Sequence, residues 1–323
     1  MRQLTVTSSP HIRSRWVTSS IMRDVMLALL PAAAMGVWFQ GVRALLILGL
    51  SILPCIMTEA FATKKVRLNG AETLTGLLLG LSLPASVSWW IPVVGGVFSV
   101  LVVKHLCGGL GKNVFNPVLV SRAFLLLFWP SQLTLFPERE LDGLTASTPL
   151  HAFQIPALPD ASLGQMFLGD ISGCIGETSK LALLLGGIWL LWKGIIKPQI
   201  PLAYLGTVAA LTLLFSQGQP PLLWMAYQLL SGSLILGAFF MATDYVTSPV
   251  TPYGRIAFGV GCGILTVILR YYGLYPEGVT YAILCMNPLA WRMDRWLAPR
   301  VFGHGNRWKR KTTAVKGANH GRQ

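Results

Sequence analysis

The sequence predicts an all-α membrane protein that crosses the bilayer about ten times, as two inverted five-helix repeats with a long extracytoplasmic loop between them. Hydrophobic residues make up 53% of the chain and charged residues only 12%, whereas soluble domains average about 25% charged residues. Apolar runs recur along nearly the whole length. The basic residues are divided unevenly between the segments that connect these runs, which is typical of a membrane protein with a fixed orientation.

The apolar runs define the predicted spans. Several of them are shorter than the roughly 20 residues that a straight helix needs to cross the hydrocarbon core. The first run follows a polar segment and lacks a small-residue cleavage pattern, so we expect the amino-terminal tail to be retained. The predicted spans are 25–41, 44–61, 71–87, 89–103, 115–129, 181–192, 201–215, 222–241, 256–269 and 279–291.

Charge predicts the orientation of these spans. With ten spans both termini lie on one side, and the opposite side holds only Arg43, Arg139, Lys180 and Arg270, with Arg122 inside a span. Both termini are therefore expected in the cytoplasm of a cell-membrane protein. The net charge of +14 favours contact with anionic lipid over nucleic acid. The predicted regions are a cytoplasmic tail (1–24), a first helical repeat (25–129), an extracytoplasmic loop (130–180), a second helical repeat (181–296) and a basic cytoplasmic tail (297–323).

The inverted repeat is predicted from short motifs that recur in both halves. Asn116-Pro117 at the start of the fifth span returns as Asn287-Pro288 in the tenth. Because each half has an odd number of spans, the two halves have opposite orientations, and such repeats hold their ligand near the midplane at interrupted helices. The alternative is chance recurrence of a common dipeptide in an apolar chain.

Four ionisable residues are predicted inside the membrane region, namely Glu72, Arg122, Asp244 and Glu277. Intramembrane charges of this kind are candidates for an ion or proton path. The alternative is a structural role, since Glu72 and Glu277 lie at predicted helix starts, where the helix dipole favours a carboxylate. The five cysteines have no Cys-x-x-Cys spacing, so no metal or iron–sulfur site is predicted. Cys174 is expected near the extracytoplasmic side, and Cys55, Cys107, Cys262 and Cys285 are expected to fill apolar space.

Seven segments together carry a resemblance to a known family. The longest are Gly-Gly-Leu-Gly-x-Asn-x-Phe-Asn-Pro at 108–117, Met-Ala-Thr-Asp-x-Val-Thr-Ser-Pro at 241–249 and Tyr-Pro-Glu-Gly-Val-x-Tyr-Ala-Ile-Leu-x-Met-Asn at 275–287. The others are Ser-Pro-His at 9–11, Asn-Gly at 69–70, the segment 142–150 and Gly-x-Ile-Gly-Glu-Thr-Ser at 173–179. Through these motifs the chain resembles the RnfD family, the D subunits of the Rnf ion-translocating electron-transport complex. It is similar, more distantly, to NqrB, the B subunit of the sodium-pumping NADH:quinone reductase.

The resemblance implies covalent flavin mononucleotide (FMN) on Thr148. In the family a dedicated flavin transferase links FMN, through its phosphate, to the last threonine of an acidic, hydroxyl-rich motif. The matching motif residues here are Asp142, Gly143, Thr145 and Ser147. This chain has Ala146-Ser147 where the family has Gly-Ala, so Ser147 adds a second hydroxyl. The residues alone also allow an ordinary turn, in which hydroxyl side chains bond to nearby backbone.

The resemblance further implies a non-covalent riboflavin among the helices. The glycine-rich break before the fifth span is the candidate site, with Gly108, Gly109, Asn113 and Asn116 as its residues. The alternative is that these residues only satisfy a helix break.

The implied function is that of one component, not catalytic alone, of an oxidoreductase that couples ferredoxin–NAD electron transfer to sodium or proton transport. The implied partners are subunits of the Rnf A, B, C, E and G types, the flavin transferase and membrane lipids. A stand-alone solute transporter or channel, with an inverted repeat and no covalent flavin, is the alternative. The segment 142–150 distinguishes the two interpretations.

Overall fold

The computed structural model describes residues 17–63, 70–106, 111–134, 136–137, 145–146, 158–159, 161–273 and 277–298. Regular structure in these ranges is helical, apart from one two-residue antiparallel pair. The predicted all-α class is therefore confirmed for the described part of the chain. Most of both predicted tails, and much of the predicted loop with Thr148, lie outside the described residues.

The first half begins with a helical hairpin. Helix α1 (Thr18–Gln40) and helix α2 (Val42–Thr63) are joined at Gly41, whose φ of 75° suits glycine because it has no Cβ to clash in that region. The next helix, α3 (Ala71–Leu81), is short. It ends before Ser82-Leu83-Pro84, since a residue that precedes proline is disfavoured in a helix. The predicted span 71–87 is therefore helical only up to Leu81.

Two further helices complete the first half. Helix α4 (Trp90–Phe98) continues as a π-helix over Ser99–Leu106. Helix α5 (Pro117–Phe128) begins at Asn116, whose Oδ1 accepts a hydrogen bond from the Val118 amide at 3.0 Å. Proline at the first helical position needs no amide partner, so this sequence is well suited to start a helix.

The described residues of the connecting region form only short elements. They are α6 (Pro130–Thr134), the paired strands β1 (Phe136–Pro137) and β2 (Thr145–Ala146), α7 (Leu163–Leu168) and a 3₁₀ turn over Ile175–Glu177.

The second half again combines long and interrupted helices. Its elements are α8 (Lys180–Trp192), α9 (Gln199–Leu214), α10 (Pro221–Leu230), α11 (Leu234–Leu236) continued by a π-helix (Gly237–Met241), α12 (Pro252–Tyr272), α13 (Gly278–Met286), a 3₁₀ turn (Asn287–Leu289) and α14 (Ala290–Trp296). Between α10 and α11 the chain bends by 65°. Gly232 at this break has a φ of 62°.

Each predicted span overlaps a described helix. Three helices in the described part, α1, α2 and α12, are long and apolar enough to cross a membrane, and the bent pair α10–α11 with its π-helix is a fourth if it is counted as one broken span rather than a re-entrant loop. Shorter apolar helices account for the remaining runs, and the last run overlaps the nine-residue helix α13. Large apolar side chains such as Trp38, Phe61 and Trp192 are exposed on the outer surface, as expected where lipid rather than water surrounds the protein.

Close helix packing joins the two halves. A Cβ atom at Gly186 of α8 would collide with the backbone carbonyl of Ala28 in α1, so this contact requires glycine. The repeated Asn-Pro dipeptides do not occupy equivalent helix positions, because Asn116 caps α5 whereas Asn287 follows α13. They do meet in space. With its amide oriented to satisfy both groups, the Asn287 side-chain oxygen accepts from the Asn116 backbone amide at 3.1 Å.

Candidate functional site

A cluster of buried charged and thiol groups lies at the centre of the candidate site. Arg122 Nη2 forms an ion pair with the Glu277 carboxylate and donates to Cys174 Sγ at 3.3 Å. The same Nη2 lies 3.6 Å from Glu177 Oε1. Lys180 is also fully buried, and its Nζ donates to the Glu177 backbone carbonyl at 2.5 Å. We refer to Arg122, Cys174, Glu177, Lys180 and Glu277 as the Arg122 cluster.

Helix ends bring this cluster together. Arg122 comes from the second turn of α5, whereas Glu277 precedes the first residue of α13. Cys174 precedes the 3₁₀ turn that leads into α8, Glu177 is the last residue of that turn, and Lys180 is the first residue of α8. The Arg122–Glu277 pair spans 155 positions in sequence, so it joins the two predicted halves.

Two buried cations donate hydrogen bonds to the free backbone carbonyls at the break between α10 and α11. Lys180 Nζ donates to the Gly232 carbonyl at 2.9 Å. Arg270, which is 1% exposed, donates to the carbonyls of Gln228 at 2.6 Å and Ser231 at 2.9 Å. Carbonyls at a helix end have no partner within the helix, and hydrocarbon offers none. The two cations therefore stabilise the interruption of this helix.

The Arg122 cluster is incompletely bonded. Among the described residues, Arg122 Nη1 and Glu177 Oε1 are buried without a hydrogen-bond partner. The Glu277 side chain is 17% exposed, so the cluster reaches the surface at this residue. Ligand atoms of Cys174, Glu177 and Glu277 lie within 4.8 Å of one another. Arg122 already supplies a permanent positive charge to this donor set, which disfavours a divalent metal ion there.

A second group of charges lies entirely in the first half. Lys104 Nζ, in the π-helix after α4, contacts Glu72 Oε1 at 2.5 Å and Glu59 Oε2 at 3.0 Å. His105 Nε2 lies 2.8 Å from the same Glu59 oxygen. The four residues Glu59, Glu72, Lys104 and His105 form what we call the Lys104 cluster.

The structure joins two of the four predicted intramembrane charges and separates the others. Arg122 pairs with Glu277, whereas Glu72 belongs to the Lys104 cluster. Asp244 lies outside both clusters, and its carboxylate accepts a hydrogen bond from the Thr247 hydroxyl at 3.0 Å. The helix-start positions predicted for Glu72 and Glu277 are confirmed.

The residues predicted for the flavin sites differ in their surroundings. Asn116 is fully bonded to protein, because its Nδ2 donates to the Met241 carbonyl at 3.2 Å in addition to the cap described above. Asn113 Oδ1 is buried and has no hydrogen-bond partner among the described residues. Thr145 is described as a strand residue. Gly108, Gly109, Asp142, Gly143, Ser147 and Thr148 lie outside the described residues.

Several cluster members are not predicted by the sequence. Lys104, Lys180 and Arg270 each lie next to a predicted span and outside it, yet each is buried at a helix end. Their position directly beside apolar runs is the sequence feature that could identify them, because a charge at such a position must find a partner. Cys174 is buried against Arg122, and Cys285 is exposed rather than a buried filler. Cys107 lies outside the described residues.

These features define a class: a multi-pass helical membrane protein with interrupted helices and paired charges buried between them. Comparison with known proteins makes the assignment specific. The chain belongs to the NQR2, RnfD, RnfE family, whose model matches residues 5–303.

Three relatives illustrate the similarity. The D subunit of the Na(+)-translocating ferredoxin:NAD(+) oxidoreductase complex of Acetobacterium woodii is 44% identical over 312 residues, which cover 93% of this chain and 95% of the relative. The D subunit of the proton-translocating ferredoxin:NAD(+) oxidoreductase complex of Clostridium ljungdahlii is 39% identical, with 93% and 96% covered. The D subunit of the ion-translocating oxidoreductase complex of Escherichia coli K12 is 34% identical, with 93% and 98% covered.

Proposed function

We propose that this protein is the D subunit of a membrane complex that couples electron transfer between ferredoxin and NAD to ion transport. The observation that carries the proposal is 44% identity over 93% of the chain and 95% of a relative with that name. Its partners are the other subunits of the complex, of the Rnf A, B, C, E and G types. The named relatives include both sodium- and proton-translocating complexes, so the test below follows the uptake of both ions.

Inverted membrane vesicles test this role. Cells that express the other subunits would be prepared with and without this chain. We expect ferredoxin-dependent NAD reduction and ²²Na⁺ or proton uptake only when the chain is present. Undiminished coupled transport without the chain would contradict the assignment, as would purification of the chain free of the other subunits.

The finer topology that we propose is ten spans in two inverted repeats in the cell membrane, with both termini on the cytoplasmic side. The ends of α4 and α12, the fourth spans of the two proposed repeats, support this topology, because each carries a cation that contacts a neighbouring interrupted or short helix. Lys104, near the end of the α4 span, reaches Glu72 at the start of the short helix α3, whereas Arg270 of α12 reaches the break before the short helix α11. Labelling with an impermeant maleimide checks the orientation: Arg139→Cys should react from outside intact cells, and Lys197→Cys should not.

The redox role rests on covalent FMN at Thr148. The bound flavin supplies one- and two-electron chemistry, and the protein supplies its position. The pairing of Phe136–Pro137 with Thr145–Ala146 supports the site, because it ties the chain just before Thr148 to the segment that follows α6. A tethered flavin would thereby remain close to the membrane-embedded helices.

The covalent site is tested by co-expression with a flavin transferase. We expect flavin fluorescence that persists on a denaturing gel, is lost in Thr148→Ala and is retained in the matched control Ser147→Ala. Peptide mass spectrometry should locate the adduct on Thr148. A dark wild-type band, obtained while the transferase labels a control substrate, would contradict the covalent assignment; an adduct on Ser147 would contradict the residue.

Riboflavin near the break before α5 is the second cofactor proposal. The buried and unbonded Asn113 Oδ1 supports it, since such an oxygen can accept from the N–H group of a flavin ring. Asn116 is occupied by protein bonds and is expected to support the break. The occupancy of this site is measured as the amount of flavin that can be extracted from the purified protein without hydrolysis. We expect Asn113→Ala to lower its amount and Lys112→Ala, an exposed neighbour, to leave it unchanged.

Ion movement is proposed to involve Arg122 and Glu277, with Glu72 and Asp244 as further candidates. The unbonded polar atoms of Arg122 and Glu177, together with the partial exposure of Glu277, support a polar route at this position. Glu277→Gln should uncouple ion uptake from NAD reduction in the vesicle assay. Equal loss of both activities would indicate a structural role instead.

A further inference from the structure

A pocket at one edge of the helical bundle lies away from both charged clusters. It has a volume of about 260 Å³ and is lined by Arg43, Leu46, Ile47, Leu50, Val87, Ser88, Trp89 and Trp90. Its walls are the first turns of α2 and the segment that leads into α4. Both walls are therefore span ends, the depth at which tryptophan and arginine meet the lipid headgroups.

The electrostatics of this pocket favour an anion. Arg43 is exposed at its mouth, and no ion pair joins it to another described residue. The amino-terminal ends of α2 and α4 both lie at the pocket, and each adds the positive end of a helix dipole. No carboxylate of the described residues lines the pocket, so these positive charges are not offset locally.

The remaining walls are mostly apolar, and part of them faces outward. Leu46 is 59% exposed and Trp89 is 69% exposed, so the pocket is continuous with the lipid-facing surface. Its volume is slightly below the roughly 300 Å³ at which pockets for whole small ligands begin. It can therefore hold part of a longer molecule whose remainder lies in the bilayer.

We propose that this pocket binds an anionic phospholipid, with the phosphodiester at Arg43 and the start of one acyl chain along Leu46 and Leu50. A guanidinium group forms paired hydrogen bonds with phosphate oxygens. Free phosphate alone would leave the apolar wall of the pocket without a contact, so this wall favours a lipid over phosphate. The exposed Trp89 provides the interfacial contact.

Native mass spectrometry of the full-length chain tests this site, with dioleoyl-phosphatidylglycerol and dioleoyl-phosphatidylcholine as probes. We expect tighter binding of phosphatidylglycerol, and an about tenfold loss of that affinity in Arg43→Gln, as for the loss of one charge-assisted contact. Arg292→Gln, which removes another exposed arginine near a helix end, is the matched control and should change the affinity less than about twofold. Leu46→Trp should weaken phosphatidylglycerol binding although Arg43 is intact.

Three results would overturn the proposal. One is equal loss in Arg43→Gln and Arg292→Gln, which indicates non-specific attraction of anionic lipid. Another is full displacement of phosphatidylglycerol by inorganic phosphate with no effect of Leu46→Trp, which indicates a phosphate site without an acyl-chain groove. The third comes from a benzoyl-phenylalanine photocrosslinker in place of Leu46 in native membranes. Crosslinks to phospholipid support the proposal, whereas crosslinks only to another polypeptide indicate that a protein covers the pocket.

Discussion

The Arg122 and Lys104 clusters differ in how their charges are assembled. In the Arg122 cluster the partners of Arg122 lie 52 to 155 positions away, in the connecting region and in the second half of the chain. In the Lys104 cluster Lys104 and His105 contact carboxylates of the preceding helices, 32 to 46 positions away. Both clusters pair a cation with two carboxylates, yet only the first connects the two halves.

The two clusters also differ in access to solvent. The cation of the first cluster, Arg122, is 3% exposed, whereas the cations Lys104 and His105 of the second are 9% and 26% exposed. Removal of one partner from a buried pair leaves an uncompensated charge in a medium of low polarity, which costs much more than the pair itself contributes. The Arg122 cluster should therefore be the less tolerant of substitution. Three substitutions test this difference.

The largest effect is expected for Arg122→Met. This change leaves the carboxylates of Glu177 and Glu277 beside each other without the guanidinium that pairs with them. We expect a loss of about 3–5 kcal/mol in the free energy of unfolding, measured by denaturation of the purified protein in mixed detergent micelles. The double substitution Arg122→Met/Glu277→Gln should recover part of this loss, because it removes one of the stranded charges. A single variant within about 1 kcal/mol of wild type would show that the pair is dispensable for stability.

A smaller effect is expected for Lys104→Met. Glu72 loses its cation, but Glu59 keeps His105 and partial contact with solvent. We expect a loss of about 2 kcal/mol, below the range for a fully buried pair, in the same denaturation assay. A loss as large as that of Arg122→Met would contradict the proposed difference between the clusters.

The smallest effect is expected for His105→Gln. This side chain is the most exposed of the ion-paired members of either cluster, and Lys104 continues to pair with Glu59 after its removal. The change in unfolding free energy should be less than about 1 kcal/mol, as for partly exposed ion pairs. A larger change would indicate that His105, and not Lys104, holds Glu59 in position.

The same comparison explains which site residues could be predicted. Arg122 and Glu277 stand out in sequence because each interrupts or borders an apolar run, and hydrocarbon penalises such charges wherever they lie. Their pairing could not be predicted, since many arrangements of the helices would satisfy each charge. Lys180 and Arg270 are predicted in loops because they border apolar runs. In the structure both are buried, and both donate hydrogen bonds to the free carbonyls of the broken helix α10–α11.

The sequence by itself determined the membrane class, the positions of the helices and the family, because hydrophobicity is a local property and family motifs are read directly along the chain. The bend after α10, the early end of α3 and the two charge clusters were decided only by the tertiary structure. The physical reason is that a buried charge or a broken helix is stabilised by whichever partner the packing brings near. For Arg122 that partner lies 155 positions away in the other half of the protein.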